Sequence, residues 1–131
     1  MTTGFDEFYV IDGSFVGLMS AVYEALWRGR LPMGVHRAAS AQTDLFAAEG
    51  VRVASDRERA VRIWRRLQSR LARPVLQAVL TAHECGCAVA DNLIVRFLFR
   101  VINTPADLST DFSDPDLADL LRYSRIASLA C

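Results

Sequence analysis

Four aromatic and β-branched residues, Phe8-Tyr9-Val10-Ile11, run directly into Asp12-Gly13-Ser14 and then into an apolar pattern of helical period. The first run suits a pleated, half-buried strand. Asp12-Gly13 breaks it, because glycine accepts backbone angles that other residues avoid. Ser14 is placed to accept a hydrogen bond from an orphan amide of the helix that follows. Phe15, Leu18, Met19, Val22 and Leu26 form one apolar stripe of that helix. Gly29 stops it and Pro32 keeps it stopped. The chain therefore opens as strand, tight turn and amphipathic helix.

The remaining pattern is mostly helical. Residues 30–50 read as a connecting region holding Pro32, Gly34 and Gly50, with Leu45 and Phe46 either anchoring it to the core, the safer reading, or forming a hook for a partner. Val51-Arg52-Val53 alternates and predicts a second strand paired with residues 8–11. Ser55-Asp56 predicts the cap of a second helix running to about residue 72. Pro74 opens a third helix to about residue 83. Glu84-Cys85-Gly86-Cys87 is a break. Asp91-Asn92 predicts the cap of a fourth helix over 93–102, ended by Asn103-Thr104-Pro105. Ser113-Asp114-Pro115-Asp116 starts a fifth. With 131 residues, 52% hydrophobic and 23% charged, the expectation is one mainly helical α+β domain. It has about five helices around one core and a small two-stranded sheet.

Several blocks resemble a known family. Asp12-Gly13-Ser14-Phe15-x-Gly17-Leu18 with Tyr23-Glu24-Ala25, then Asp44-Leu45-Phe46, then Arg59-Ala60-Val61-Arg62-Ile63-Trp64, occur in the order found in a family of bacterial DNA-metabolism and DNA-repair proteins. The apolar segment 92–102 and Asp114-Pro115-Asp116 also fall where that family has similar elements. The resemblance implies company with a radical-SAM protein and, often, fusion to a domain similar to uracil-DNA glycosylases. Family members continue past the position of Cys131, so the resemblance covers the N-terminal half of the family pattern. A truncated chain, a natural short form and one subunit of a split protein all fit that length. The implied partners are a radical-SAM protein or the missing half on another chain.

Charge is neutral overall but unevenly placed. Residues 51–73 carry eight Arg against two acids, whereas 1–50 carry three Arg against six acids and 74–131 four Arg against seven acids. All fifteen basic residues are Arg, so any anion site here is a bidentate guanidinium site. At about 100° per residue Arg59, Arg62, Arg66 and Arg70 share one helix face, beside an apolar face of Ala60, Trp64, Leu67 and Leu71. Such a stripe suits a phosphate backbone or the acids of a partner protein, while neutral overall charge favours a solvated face or one that pairs with acids of the flanking segments. Trp27, beside Arg28 and Arg30, is the candidate surface aromatic.

Other chemistry is thin. His83, Cys85 and Cys87 are the candidates for a metal. Cys-x-Cys is tighter than the usual zinc spacing and has no second ligand pair, so no metal or other cofactor is expected. The same closeness argues against a routine disulfide between the two thiols. Asp12, Gly13 and Ser14 read as turn and cap rather than a catalytic pair, since no His is near them in sequence. A non-catalytic accessory or binding module is therefore expected. The alternative is a protein-interaction or oligomerisation module unrelated to DNA, and a third reading is a redox or metal protein centred on Cys85 and Cys87. Leu117, Leu120, Leu121, Ile126 and Leu129 supply more apolar surface than one stripe needs, so that part of the set packs on the core and part predicts a partner interface or a homodimer. The N-terminus has no secretion signal and no stretch is long enough to span a bilayer, which predicts a cytoplasmic protein without membrane contact.

Overall fold

The computed structural model describes residues 7–38, 50–104 and 114–130. Its elements are β1 (Phe8–Ile11), α1 (Phe15–Arg28), β2 (Gly34–Arg37), β3 (Val51–Arg52), α2 (Arg57–Gln68), α3 (Arg73–His83), α4 (Ala88–Asn103) and α5 (Pro115–Ala130). The protein is a mainly helical α+β chain with five helices among the described residues. The chain groups into two compact units, Met1–Ile63 and Trp64–Cys131, the division falling within α2. Asp44, Leu45, Phe46, Ser113 and Cys131 lie outside the described residues, as does the side chain of Leu129.

The first unit holds a parallel sheet in the order β2-β1-β3. Tyr9 lies opposite Val35 on one side and Val51 on the other, and Val10 opposite His36 and Arg52. A central parallel strand is buried on both faces, and Tyr9, Val10 and Ile11 are all buried. The sheet has three strands where the sequence predicts two. Residues 34–37, expected as loop, form the extra strand against β1. Parallel strands need a long crossover, and α1 supplies it between β1 and β2.

Ser14 caps α1 by accepting the Gly17 N–H at 2.9 Å. Leu18, Met19 and Val22 of the predicted stripe are fully buried, with Phe15 and Leu26 half-buried at its edges. The amide of Gly29 closes the helix on the carbonyls of Ala25 and Leu26. At the head of α2 the cap is Asp56, whose carboxylate accepts the Arg59 N–H at 3.1 Å. The Asp56 N–H donates in turn to the buried Ser20 hydroxyl at 2.9 Å. Ser55 takes no part in that cap. The helix also ends at Gln68 instead of residue 72, so Arg70 stands beyond it.

The second unit is helical. α5 packs chiefly on α3 and also on α4, burying Phe97, Ile94 and Leu98 of α4 and Leu117 and Leu120 of α5. α4 begins at Ala88, earlier than predicted: Asp91 and Asn92 are inside it, and Cys87 holds the cap position without a side-chain cap bond. Asn92 Nδ2 instead donates to the Ala88 carbonyl at 2.7 Å.

The start of α5 is held by charge. Asp114 accepts the N–H groups of Asp116 and Leu117. Its other oxygen receives Arg100 at 2.5 Å. Asp116 is gripped by Arg96 at 2.9 Å and by Arg100 at 2.8 Å. These donors hold both carboxyls below the usual carboxylate value, led by the bond from Arg100 for Asp114 and from Arg96 for Asp116. Asp114→Ala removes a cap and leaves Arg100 half-paired, so it is expected to cost about 2 kcal/mol in denaturant unfolding. Because the folded-state pKa values are depressed, this stabilisation is complete above pH 3.8 and is lost as pH falls below it. An acid titration followed by circular dichroism should therefore be steeper for the parent chain than for Asp114→Ala.

Candidate functional site

Ligands of open parallel sheets bind outside the carboxyl ends of the strands, near the point where strand order reverses. In the first unit that edge carries Asp12 after β1 and Ser55 after β3. Asp12 Oδ1 accepts from the Ser14 amide at 2.9 Å and from the Ser14 hydroxyl at 2.6 Å, and Oδ2 accepts from the Ser55 hydroxyl at 2.6 Å. The two Ser donors hold the carboxyl below its usual range. Ser14 is thus committed to Asp12 and to the Gly17 amide. His36 belongs to β2 with its ring 5.0 Å from that of Phe8, and the bonds on Asp12 form a clasp joining the turn, the start of α1 and the segment after β3.

A different face of α1 offers contact chemistry. Tyr23 and Trp27 are one turn apart, and Trp27 is 78% exposed. With Glu24 and Arg59 they line a shallow depression of about 170 Å³. The Arg59 guanidinium lies 4.9 Å from the Tyr23 ring centroid, steadied by Asp56 at 3.5 Å and Glu24 at 4.0 Å. Glu24 is shared: its other oxygen pairs with Arg28 at 2.8 Å, and Arg28 also reaches Glu7 at 2.7 Å. Arg28 further lies 5.6 Å from the Tyr9 ring centroid. Its bond to Glu24 pushes the Arg28 pKa further up, and burial pushes the Tyr9 hydroxyl up.

The sequence candidates therefore separate. Trp27 and Arg30 are exposed, whereas Arg28, grouped with them in the sequence, is drawn into the Glu7–Glu24 clasp. Arg62 and Arg66 are exposed on α2. Arg70 does not continue that face. It lies past the helix end, half-buried, with its guanidinium donating to the Thr104 carbonyl. Tyr23 and Glu24 belong to the Tyr23-Glu24-Ala25 motif, and the structure adds them to the Trp27 face. The signal for their role was the one-turn spacing of Tyr23 and Trp27.

In the second unit Leu117 and Leu120 are fully buried and so belong to its core, correcting their placement in a partner interface. Leu121 is half-buried, and Ile126 remains 48% exposed. An open depression of about 340 Å³ lies between α4 and α5, but its charged walls are engaged, Arg96 by Asp116 and Arg122 by Asp119. Cys85 and Cys87, half-buried, place their sulfur atoms 3.5 Å apart. Among the described residues no three His, Cys, Asp or Glu side chains gather as a metal site, and no helix is long and apolar enough to cross a membrane.

Compared with protein families, curated proteins and solved structures, the chain matches none.

Gly17 tests the clasp. A Cβ there would sit 2.5 Å from Asp12 Oδ1 and 3.0 Å from Ser55 Oγ. Gly17→Ala is expected to destabilise the chain by about 2 kcal/mol in chemical denaturation. Asp12→Ala in the same background should recover part of that loss, since it removes the oxygen that the new methyl group meets.

Proposed function

We propose that the chain is a non-catalytic, cytoplasmic accessory module of a bacterial DNA-metabolism system. On this reading it contacts DNA through the Trp27 face and works beside a radical-SAM or glycosylase-like partner. The system and the partner come from the resemblance of the Asp12, Asp44 and Arg59 blocks. The observation that carries DNA contact is the 78% exposed Trp27 beside Tyr23 and Arg59. An exposed Trp costs solubility unless something covers it. Aromatic rings set beside guanidinium groups are the means by which proteins stack unpaired bases while neutralising the adjoining phosphates. Arg62, exposed one turn after Arg59 on α2, extends that positive edge.

A second reading rests on Ile126, exposed on α5, and on Val89, exposed on α4. Large apolar side chains left at the surface favour a protein partner or a second copy of the chain.

Binding of fluorescent single- and double-stranded oligonucleotides at several salt concentrations separates the two. On the DNA reading affinity falls steeply with salt, Trp27→Ala weakens binding about tenfold, and Arg62→Glu both weakens it and flattens the salt slope. No binding at low salt, with sedimentation showing a dimer that Ile126→Glu dissociates, would leave the interaction reading in its place.

A further inference from the structure

We propose that Cys85 and Cys87 form a reversible dithiol–disulfide pair, a redox site on the turn between α3 and α4. Their sulfur atoms are 3.5 Å apart, so a small closure brings them to the ~2.05 Å of a disulfide bond. The turn is built for this approach. Gly86 has φ +75°, which side-chain-bearing residues rarely adopt, and its amide is bonded to the His83 carbonyl at 3.2 Å. Both thiols are half-buried, so an oxidant can reach them.

The two sulfurs are not equivalent. Cys87 occupies the cap position of the 16-residue α4 and makes no side-chain cap bond. Cys85, on the preceding turn, shares a hydrogen bond with the Cys87 sulfur, and that contact together with burial pushes its pKa up. Cys87 is the attacking thiol and Cys85 the resolving one.

The oxidant is a disulfide of the glutathione class. The Cys87 thiolate attacks one sulfur of that disulfide, forms a mixed disulfide and releases one thiolate. Cys85 then gives up its proton, attacks the Cys87 sulfur and expels the second thiolate. Two protein thiols are oxidised, one small disulfide is reduced to two thiols, and the two protons pass to them. Closing a ring across a single intervening residue strains it, and strained disulfides are the readily reduced, regulatory ones. In a cytoplasmic protein, transient bonds of this kind are the expected use of a close thiol pair.

The test uses the full chain carrying Cys131→Ser, equilibrated with mixtures of oxidised and reduced glutathione, trapped with a maleimide and weighed by mass spectrometry. We expect both thiols to disappear together, with the loss of two hydrogens and no retained glutathione. Cys85→Ser should hold glutathione on Cys87. Cys87→Ser should react about tenfold more slowly than Cys85→Ser. Gly86→Ala, which strains the turn, should need a glutathione mixture about tenfold more oxidising to close the pair. Circular dichroism of each variant verifies that it is folded. Two thiols that stay maleimide-reactive in every mixture, or a glutathione adduct that persists on the unsubstituted pair, overturn the proposal. A faster reaction in Cys87→Ser than in Cys85→Ser overturns the assignment of the attacking sulfur.

Discussion

The carboxylate of Asp12 is the fixed point of the sheet-bearing unit. It receives three donors within 2.9 Å, two from Ser14 and one from Ser55. Hydrogen bonds to an ionised acceptor are roughly twice as strong as neutral ones, and these span the end of β1, the start of α1 and the segment after β3. The bond to Ser55 crosses more than forty positions of sequence, so it locates the entry to α2. The buried Ser20–Asp56 bond ties the same entry to α1 a second time. Gly17 follows from this arrangement, because Asp12 Oδ1 occupies the space that any Cβ on that residue would need.

This interaction also explains which parts of the fold could be read from the sequence. The strand, turn and cap at residues 8–14 depend on neighbours, and their residue types announce them. Asp12 and Ser14 were legible as turn and cap for the same reason. The role of Ser55 was not, since a Ser-Asp pair before a helix reads as a cap and only the tertiary fold carries Ser55 back to Asp12. β2 was hidden similarly. Gly34-Val35-His36-Arg37 is short and follows Pro32 and Met33, and its identity as a strand rests on pairing with β1. α4 starts early because Ala88, Val89 and Ala90 continue into a helix readily, while Asp91 is buried within the first turn instead of capping it.

Arginine does two kinds of work here, and sequence position does not separate them. Arg96 and Arg100 grip the head of α5. Arg28 binds two glutamates, and Arg70 satisfies a carbonyl beyond α4. The planar fork suits all of these tasks. Arg59 is held against Tyr23 by its ion pairs while half of its side chain stays in solvent. The guanidinium is thereby positioned in advance beside Trp27. A helical wheel of residues 57–73 gives Arg59, Arg62, Arg66 and Arg70 equal weight, but the helix end at Gln68 removes Arg70 from that face.

The thiol pair shows the same dependence on backbone detail from the opposite side. Two cysteines separated by one residue look badly placed for bonding, because an extended chain points alternate side chains the same way but holds them apart. A left-handed residue between them changes that geometry, and Gly86 supplies it at the point where α3 ends and α4 has yet to begin. Asn103 and Thr104 end α4 without any comparable turn, and no thiols lie there. The position of the Cys-Gly-Cys turn matters as much as its conformation. On the helix side Cys87 holds the cap position of α4, and on the other Cys85 keeps its proton more firmly through its contact with the Cys87 sulfur and through burial. A Cys-x-Cys segment within a helix has neither asymmetry, because both sulfurs then face backbone groups already paired. The redox reading therefore rests on a junction between two helices, which spacing alone does not encode.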